Sequence, residues 1–205
     1  MHMPTGSCIP GNRYLVTIFG AAGAGKSVLA KAVADTLGNE VAARVPVDYF
    51  FLPCGAGEPL ERYLARPLEW DWELLGERLA LPPGAETTTP DADFGTFTRL
   101  SDTGGRPMPI RPVMILDAMA PFPNADLLVR LDVPDAVRRQ RIVERDVRWG
   151  TRVQDRWDHL EATWRAVRPG TPHLVIDGTR SLDDNVATLV GMIREIAGMD
   201  RRDGR

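Results

Sequence analysis

Gly20-Ala21-Ala22-Gly23-Ala24-Gly25-Lys26-Ser27 is the stretch that decides how this chain reads. It matches the pattern G-x-x-x-x-G-K-[ST], which this composition would produce by chance about 0.0015 times. An apolar run, Tyr14–Phe19, leads in and reads as a strand. A helical period, Lys26–Leu37, leads out, with Val28, Leu29, Ala32, Val33, Thr36 and Leu37 expected on the side that packs against a sheet. Glycines let successive backbone N–H groups converge on phosphate oxygens, and a helix N-terminus adds positive potential at the same point. Gly20, Ala21, Ala22, Gly23, Ala24, Gly25, Lys26, Ser27 and Val28 are therefore the candidate nucleotide-binding residues. Lys26 is placed to bridge the β- and γ-phosphates, and the Ser27 hydroxyl to bind Mg2+. Only two of the 25 basic residues are Lys, so one inside this motif is informative.

Working outward, short apolar runs alternate with helical periods. Strands are expected at Tyr14–Phe19, Val41–Val47, Val113–Leu116, Leu127–Val133 and His173–Ile176. Helices are expected at Lys26–Leu37, Leu68–Leu81, Asp135–Trp149, Val153–Val167 and Leu182–Gly198. This alternation predicts an α/β fold, with a parallel sheet covered by helices on both faces. Ser181, with Asp184 three residues on, is expected to open the last helix, and Trp157, Leu160 and Trp164 to form a core stripe. Residues 82–112, rich in Pro and Gly, break the pattern; Thr87–Thr89 and Thr96–Leu100 read as a small antiparallel flap around Pro90–Gly95. Residues 1–12 are expected to be disordered and residues 200–205 frayed, which leaves one domain over residues 13–199.

Composition narrows the classes. The chain has 205 residues and is 43% apolar, enough for one sizeable core. Its longest run without charge is the 12 residues Tyr14–Gly25, too short to span a bilayer, and the N-terminus lacks the pattern of a secretory signal. Cys8 and Cys54 are the only cysteines, which excludes a disulfide framework and makes a reducing, cytoplasmic setting the default. A net charge of −3 gives no reason to expect nucleic acid or a membrane surface as partner. Locally, Arg130–Arg168 carries ten Arg against seven carboxylates. A phosphate-binding turn also needs a carboxylate near its metal. Val113-Met-Ile-Leu-Asp117 supplies one at a strand end, where Asp117 reads either as a metal-side residue or as a turn-initiating Asp.

The order of further motifs resembles the uridine kinase and phosphoribulokinase group of P-loop kinases, over roughly Tyr14 to Ser181. Val45-Pro-Val-Asp48-Tyr49-Phe50 is similar to the group's strand-end Asp, which implies that Asp48 faces the acceptor hydroxyl as its base; the same Asp also suits a turn cap. Arg66-Pro-Leu-Glu-Trp70-Asp71-Trp72 resembles the segment whose Asp holds sugar hydroxyls, and Asp71 reads equally as a helix N-cap. Pro90-Asp-Ala-Asp-Phe-Gly-Thr-Phe-Thr-Arg99 is similar to the group's hairpin ending in Arg, so Arg99 becomes a substrate contact or a solvated strand residue. Uridine kinases carry Tyr and His there to address the base; this chain has Ala92 and Phe97. Arg138, Arg141, Arg145 and Arg148 share one helix face, and the segment to Gly150 resembles the group's Arg-rich lid, about residues 138–152. Arg145 and Arg141 are then the lid residues that reach the nucleotide, or part of a solvated face.

The resemblance implies ATP- and Mg2+-dependent phosphoryl transfer to a hydroxyl of a small metabolite, a nucleoside, sugar or pantothenate-like alcohol. The catalytic set is Asp48, Lys26 and Arg145; the metal set is Ser27 and Asp117; the substrate set is Asp48, Asp71 and Arg99. A nucleotide-dependent switch or assembly NTPase without an acceptor is the alternative. Self-association is left open, since an exposed apolar helix face reads like a core one.

Overall fold

The computed structural model describes residues 13–199, so the expectations for residues 1–12 and 200–205 lie outside the described residues. The elements run β1 (Tyr14–Phe19), α1 (Lys26–Leu37), β2 (Ala42–Pro46), α2 (Leu60–Leu64), α3 (Trp72–Leu79), β3 (Glu86–Asp93), β4 (Thr98–Pro109), β5 (Val113–Ala118), β6 (Leu127–Asp132), α4 (Asp135–Trp149), α5 (Trp157–Ala166), β7 (Leu174–Asp177) and α6 (Leu182–Ile196). Single 3-10 turns follow β2, at Val47–Phe50, and precede α5, at Val153–Arg156.

Five strands form a parallel sheet in the order β2-β5-β1-β6-β7, and β3 and β4 form a separate antiparallel pair. The chain leaves β1 in one direction to reach β2 and later returns on the other side as β6 and β7. The strand order therefore reverses at β1, and a crevice opens at its carboxyl end, where open α/β sheets bind ligands. Side chains alternate across the sheet. Val16, Ile18, Val113, Ile115 and Val129 meet Leu29 and Val33 of α1 and Leu189 and Ile193 of α6. On the opposite face Leu15, Val45, Met114 and Leu116 meet Leu75 and Leu79 of α3 and Met108 at the base of the hairpin.

Three expectations are corrected. The buried stripe of α1 is Lys26, Leu29, Ala30, Val33, Ala34 and Leu37, while Val28 is 59% exposed. The helix is turned from its expected setting because it lies between the sheet and α6 and must fill both contacts. The hairpin is also much longer than its β-propensity suggests: β4 runs twelve residues through Gly104 and Gly105. Register shifts between Thr88 and Ala92 absorb Pro90, and a side chain at Gly105 would strike Pro90 O at 2.1 Å, so Pro and Gly here mark bulges and close approach rather than loop. Trp157 stays outside the core: the guanidinium groups of Arg138 and Arg139 lie over its ring at 5.1 and 4.9 Å. Leu160 and Trp164 do pack against the second core, and Ser181 caps α6 by accepting from the Asp184 amide at 3.1 Å. Among the described residues no helix is long and apolar enough to cross a membrane.

One buried ion pair ties α4 to α5. Arg138 Nη1 donates to Glu161 Oε1 at 2.7 Å, with side chains 2% and 8% exposed. Removing one partner would strand the other charge away from water. Arg138→Met should lower unfolding stability by about 3 kcal/mol in urea titration, and a loss below about 1 kcal/mol would contradict the assignment.

Candidate active site

The turn between β1 and α1 is built by where its peptide groups point. The carbonyls of Ala21, Ala22 and Ala24 accept from Lys26 Nζ at 3.0 Å, Arg138 Nη1 at 3.0 Å and Arg141 Nη1 at 3.1 Å. In a trans peptide the carbonyl and the following N–H are antiparallel. Arg138 on Ala22 O therefore turns the Gly23 N–H the other way, and Arg141 on Ala24 O does the same for Gly25. Ala24 N reaches Ala21 O at 3.3 Å, and Val28 N takes Gly25 O at 3.1 Å. The amides of Gly23, Gly25, Lys26 and Ser27 donate to no acceptor among the described residues. Glycine is required at two positions: Gly23 has φ +78° and a β-carbon there would stand 2.5 Å from Arg138 O, and Gly25 starts α1 in the left-handed region at φ +98°. Four free amides at a helix N-terminus make an anion cradle. Gly20 through Ser27 thus form one loop as expected; Val28 points outward with its amide already used.

Beside the cradle the structure brings two carboxylates and several cations together. Asp117 on β5 lies opposite Pro46 of β2 and Ile18 of β1. Its side chain is 4% exposed; Oδ2 accepts from Arg44 Nη2 at 2.6 Å and Nε at 3.2 Å, while Oδ1 is buried without a partner. An orphaned carboxylate oxygen, with the exposed Ser27 hydroxyl on the first turn of α1, is a hard-oxygen donor set that fits Mg2+. Asp48 is the second residue of the 3-10 turn after β2; it is exposed to solvent, yet it lies within reach of several charged groups. Desolvation, then Asp117, push its pKa up to about 6, against the pull of Lys26, Arg44 and Arg145. Burial lowers the pKa of the Lys26 ammonium; Asp117 and Asp48 oppose that shift, and Arg145 and Arg138 add to it.

The four lid arginines divide by task. Arg138 is structural, and Arg141 is pinned between Ala24 O and Gly178 O, the latter at 3.0 Å. Arg145 is half-buried and has no carboxylate partner among the described residues; its Nε is buried without an acceptor, and its charge is felt at both Lys26 and Asp48. Arg148 is exposed. The neighbouring Asp146 explains the Arg-Asp order. Burial would raise its pKa, but hydrogen bonds from Thr151 Oγ1 and from Gln154 N, the latter at 2.7 Å, hold it below the usual carboxylate value. Ionised Asp146 fixes the turn that follows α4.

At the hairpin, Asp71 and Arg99 hold each other. Asp71 Oδ1 caps α3 through Leu74 N at 3.0 Å, and Oδ2 accepts from Arg99 Nη1 at 2.8 Å. Arg99 Nη2 also donates to Phe51 O at 2.8 Å. The pair straps the hairpin to α3 and to the segment after Asp48. Tyr49 meets Phe94 edge-on at 5.0 Å, and Phe97 packs between Phe51 and Tyr63. Two participants escaped the sequence reading. Arg156 donates to Phe94 O at 2.5 Å and Gly95 O at 2.9 Å, clasping the hairpin tip from the segment after the lid; no local pattern announces it. Arg44 interrupts the otherwise apolar run of β2, a signal that was available, since a buried parallel strand reads as continuous apolar residues.

No family model matches the chain. Solved structures share its fold. A protein from Silicibacter sp. TM1040, provisionally named a fructose transport system kinase, is 24% identical with a TM-score of 0.54, covering 82% of this chain and 90% of that chain. A gluconokinase from Sinorhizobium meliloti 1021 is 14% identical with a TM-score of 0.54, covering 95% of this chain and 98% of that chain.

The Asp48 setting has a measurable consequence. In the nucleotide-free protein its carboxyl should titrate near pH 6 by carbon NMR, rather than near the model-peptide 3.8. Because the folded state holds this proton more tightly than the unfolded chain, the group's contribution to stability is complete below 3.8 and is lost as pH rises through about 6. A midpoint below about 4.5 would contradict this influence of desolvation and Asp117 on Asp48.

Proposed function

We propose that this chain is an ATP- and Mg2+-dependent phosphotransferase of uridine kinase-like type, moving the γ-phosphoryl group to an alcohol of a small polar metabolite. The observation that carries the reading is the juxtaposition of unclaimed amides in the β1–α1 turn, those of Gly23, Gly25, Lys26 and Ser27 among them, with the Asp48 carboxylate, which shares its surroundings with Lys26, Arg44, Arg145 and Asp117. The amides of Gly23, Gly25, Lys26 and Ser27, with Lys26 Nζ, bind and orient the triphosphate. Mg2+, held through Ser27 and Asp117 Oδ1, would supply charge neutralisation at the phosphate oxygens. Asp48 accepts the proton of the acceptor hydroxyl as that oxygen bonds to the γ-phosphorus and the bond to the β-bridging oxygen breaks, releasing ADP. Arg145, unpaired and close, meets the charge that develops on the transferred group.

Asp71 and Arg99 border the acceptor side as a strap; we assign them the shaping of that wall and, through their remaining donors and lone pairs, contact with a polyhydroxyl acceptor. Ala92 and Phe97, in place of a base-reading pair, favour an acceptor other than uridine. The names of the two fold neighbours, a fructose transport system kinase and a gluconokinase, agree with a sugar-class alcohol. The setting we propose is cytoplasmic, with no nucleic-acid or membrane partner.

A panel of nucleosides, sugars, sugar acids and pantothenate-like alcohols, scored by ADP release with ATP and Mg2+, should give acceptor-dependent turnover. Acceptor-independent release across the panel would favour a switch or assembly NTPase instead. Lys26→Ala should abolish turnover. Asp48→Asn should keep ATP affinity while transfer falls by roughly 100-fold or more; normal activity would move the base role to Asp117. Arg145→Ala should lower kcat more than it weakens ATP binding, and equal losses would make Arg145 a ground-state ligand.

A further inference from the structure

Arg44 is the least expected residue of the site. It occupies a β2 position flanked by the buried Ala43 and Val45, and of the three cations that act on Asp48 it alone is hydrogen-bonded to a carboxylate: Lys26 Nζ rests on Ala21 O, and Arg145 pairs with none of the described carboxylates. Buried ion pairs are often no better for stability than apolar residues of like volume, so folding alone gives little reason for an Arg here. Charge gives one. Asp48 and Asp117 together would form a small acidic pair at the sheet's carboxyl edge. Lys26, Arg44 and Arg145 outnumber them by one positive charge, so the bare site attracts an anion. Arg44 also occupies Asp117 Oδ2 with two hydrogen bonds and leaves the buried Oδ1 as that carboxylate's one unpaired oxygen. Under that net positive charge, one unpaired Asp117 oxygen, the Ser27 hydroxyl and the nearby Asp48 carboxylate suffice for a cation that arrives already bound to phosphate oxygens, but they are a poor site for a bare ion. In keeping with that, no group of three or more His, Cys, Asp or Glu that could hold a metal occurs among the described residues.

We propose that Arg44 is a positioning residue that keeps the nucleotide-free site closed to divalent cations, so that metal enters only together with the triphosphate. The inference rests on the phosphotransferase reading, yet it is tested without turnover. Binding of Mn2+ to the full chain, followed by electron paramagnetic resonance without nucleotide, should be undetectable up to about 1 mM for the wild type and should appear once ATP is added. Arg44→Met frees Asp117 Oδ2 and removes a positive charge; it should bind Mn2+ without nucleotide at least about tenfold more tightly than the wild type. Arg44→Lys keeps the charge and should restore exclusion, and Arg44→Met with Asp117→Asn should lose the gain. Two results would overturn the proposal: Mn2+ binding by the nucleotide-free wild type as tight as with ATP, or a folded Arg44→Met protein with no gain. The first needs no variant, so a misfolded substitution cannot shelter the idea. If Arg44→Met gains metal while no acceptor stimulates ADP release, the phosphotransferase reading fails alone; acceptor-dependent turnover without a metal gain faults only the role of Arg44.

Discussion

The site depends on three carbonyl groups being held by cations. Lys26, Arg138 and Arg141 take the oxygens of Ala21, Ala22 and Ala24, and planar peptides then present the Gly23 and Gly25 amides on the opposite side. The glycines permit this shape; the arginines of α4 enforce it. The helix first read as a lid is therefore also part of the cradle's scaffold. Its hold is anchored through Glu161 to α5 and through Asp146 to the turn that leads there. That turn carries Arg156, which reaches the hairpin tip, so the β1–α1 turn and the hairpin are linked through α4 and the segment after it.

Charge is graded across this frame. Arg138 is committed to Glu161 and Asp135, Arg44 to Asp117, and Arg141 and Lys26 to backbone oxygens, which leaves Arg145 as the cation of this group without a bonded partner among the described residues. A similar contrast separates the carboxylates. Asp117 keeps one buried oxygen unpaired beside a guanidinium, whereas desolvation and the neighbouring Asp117 push the Asp48 pKa up to about 6. Two carboxylates in one crevice, set apart by their neighbours, can take different parts in a phosphoryl transfer.

Much of this was legible in the sequence because its signals are local. The glycine turn, the limits of β1, α1 and α4, and the Ser181 cap follow from periodicity and short-range chemistry. So does the α/β class. What stayed hidden was set by tertiary contact. The setting of α1 depends on α6, the length of β4 on bulges that accommodate Pro90, and the place of Trp157 outside the core on two arginines that cover it. Among site residues, spacing put four arginines on one face, but spacing could not show that two of them would be consumed by the loop itself. Nor could it show that Asp71 and Arg99 would bond each other. Arg44 was visible as an anomaly in β2, and its partner was not.

On the proposed reading, the amides of one turn grip a triphosphate beside Asp48. The most direct measurement is a crystal structure of the full chain with Mg2+ and a non-hydrolysable ATP analogue. The account expects the β-phosphate within hydrogen-bond distance of the Gly23, Gly25, Lys26 and Ser27 amides, and the γ-phosphate facing Asp48 and Arg145. A nucleotide bound elsewhere on the chain, or a γ-phosphate turned away from Asp48, would contradict it.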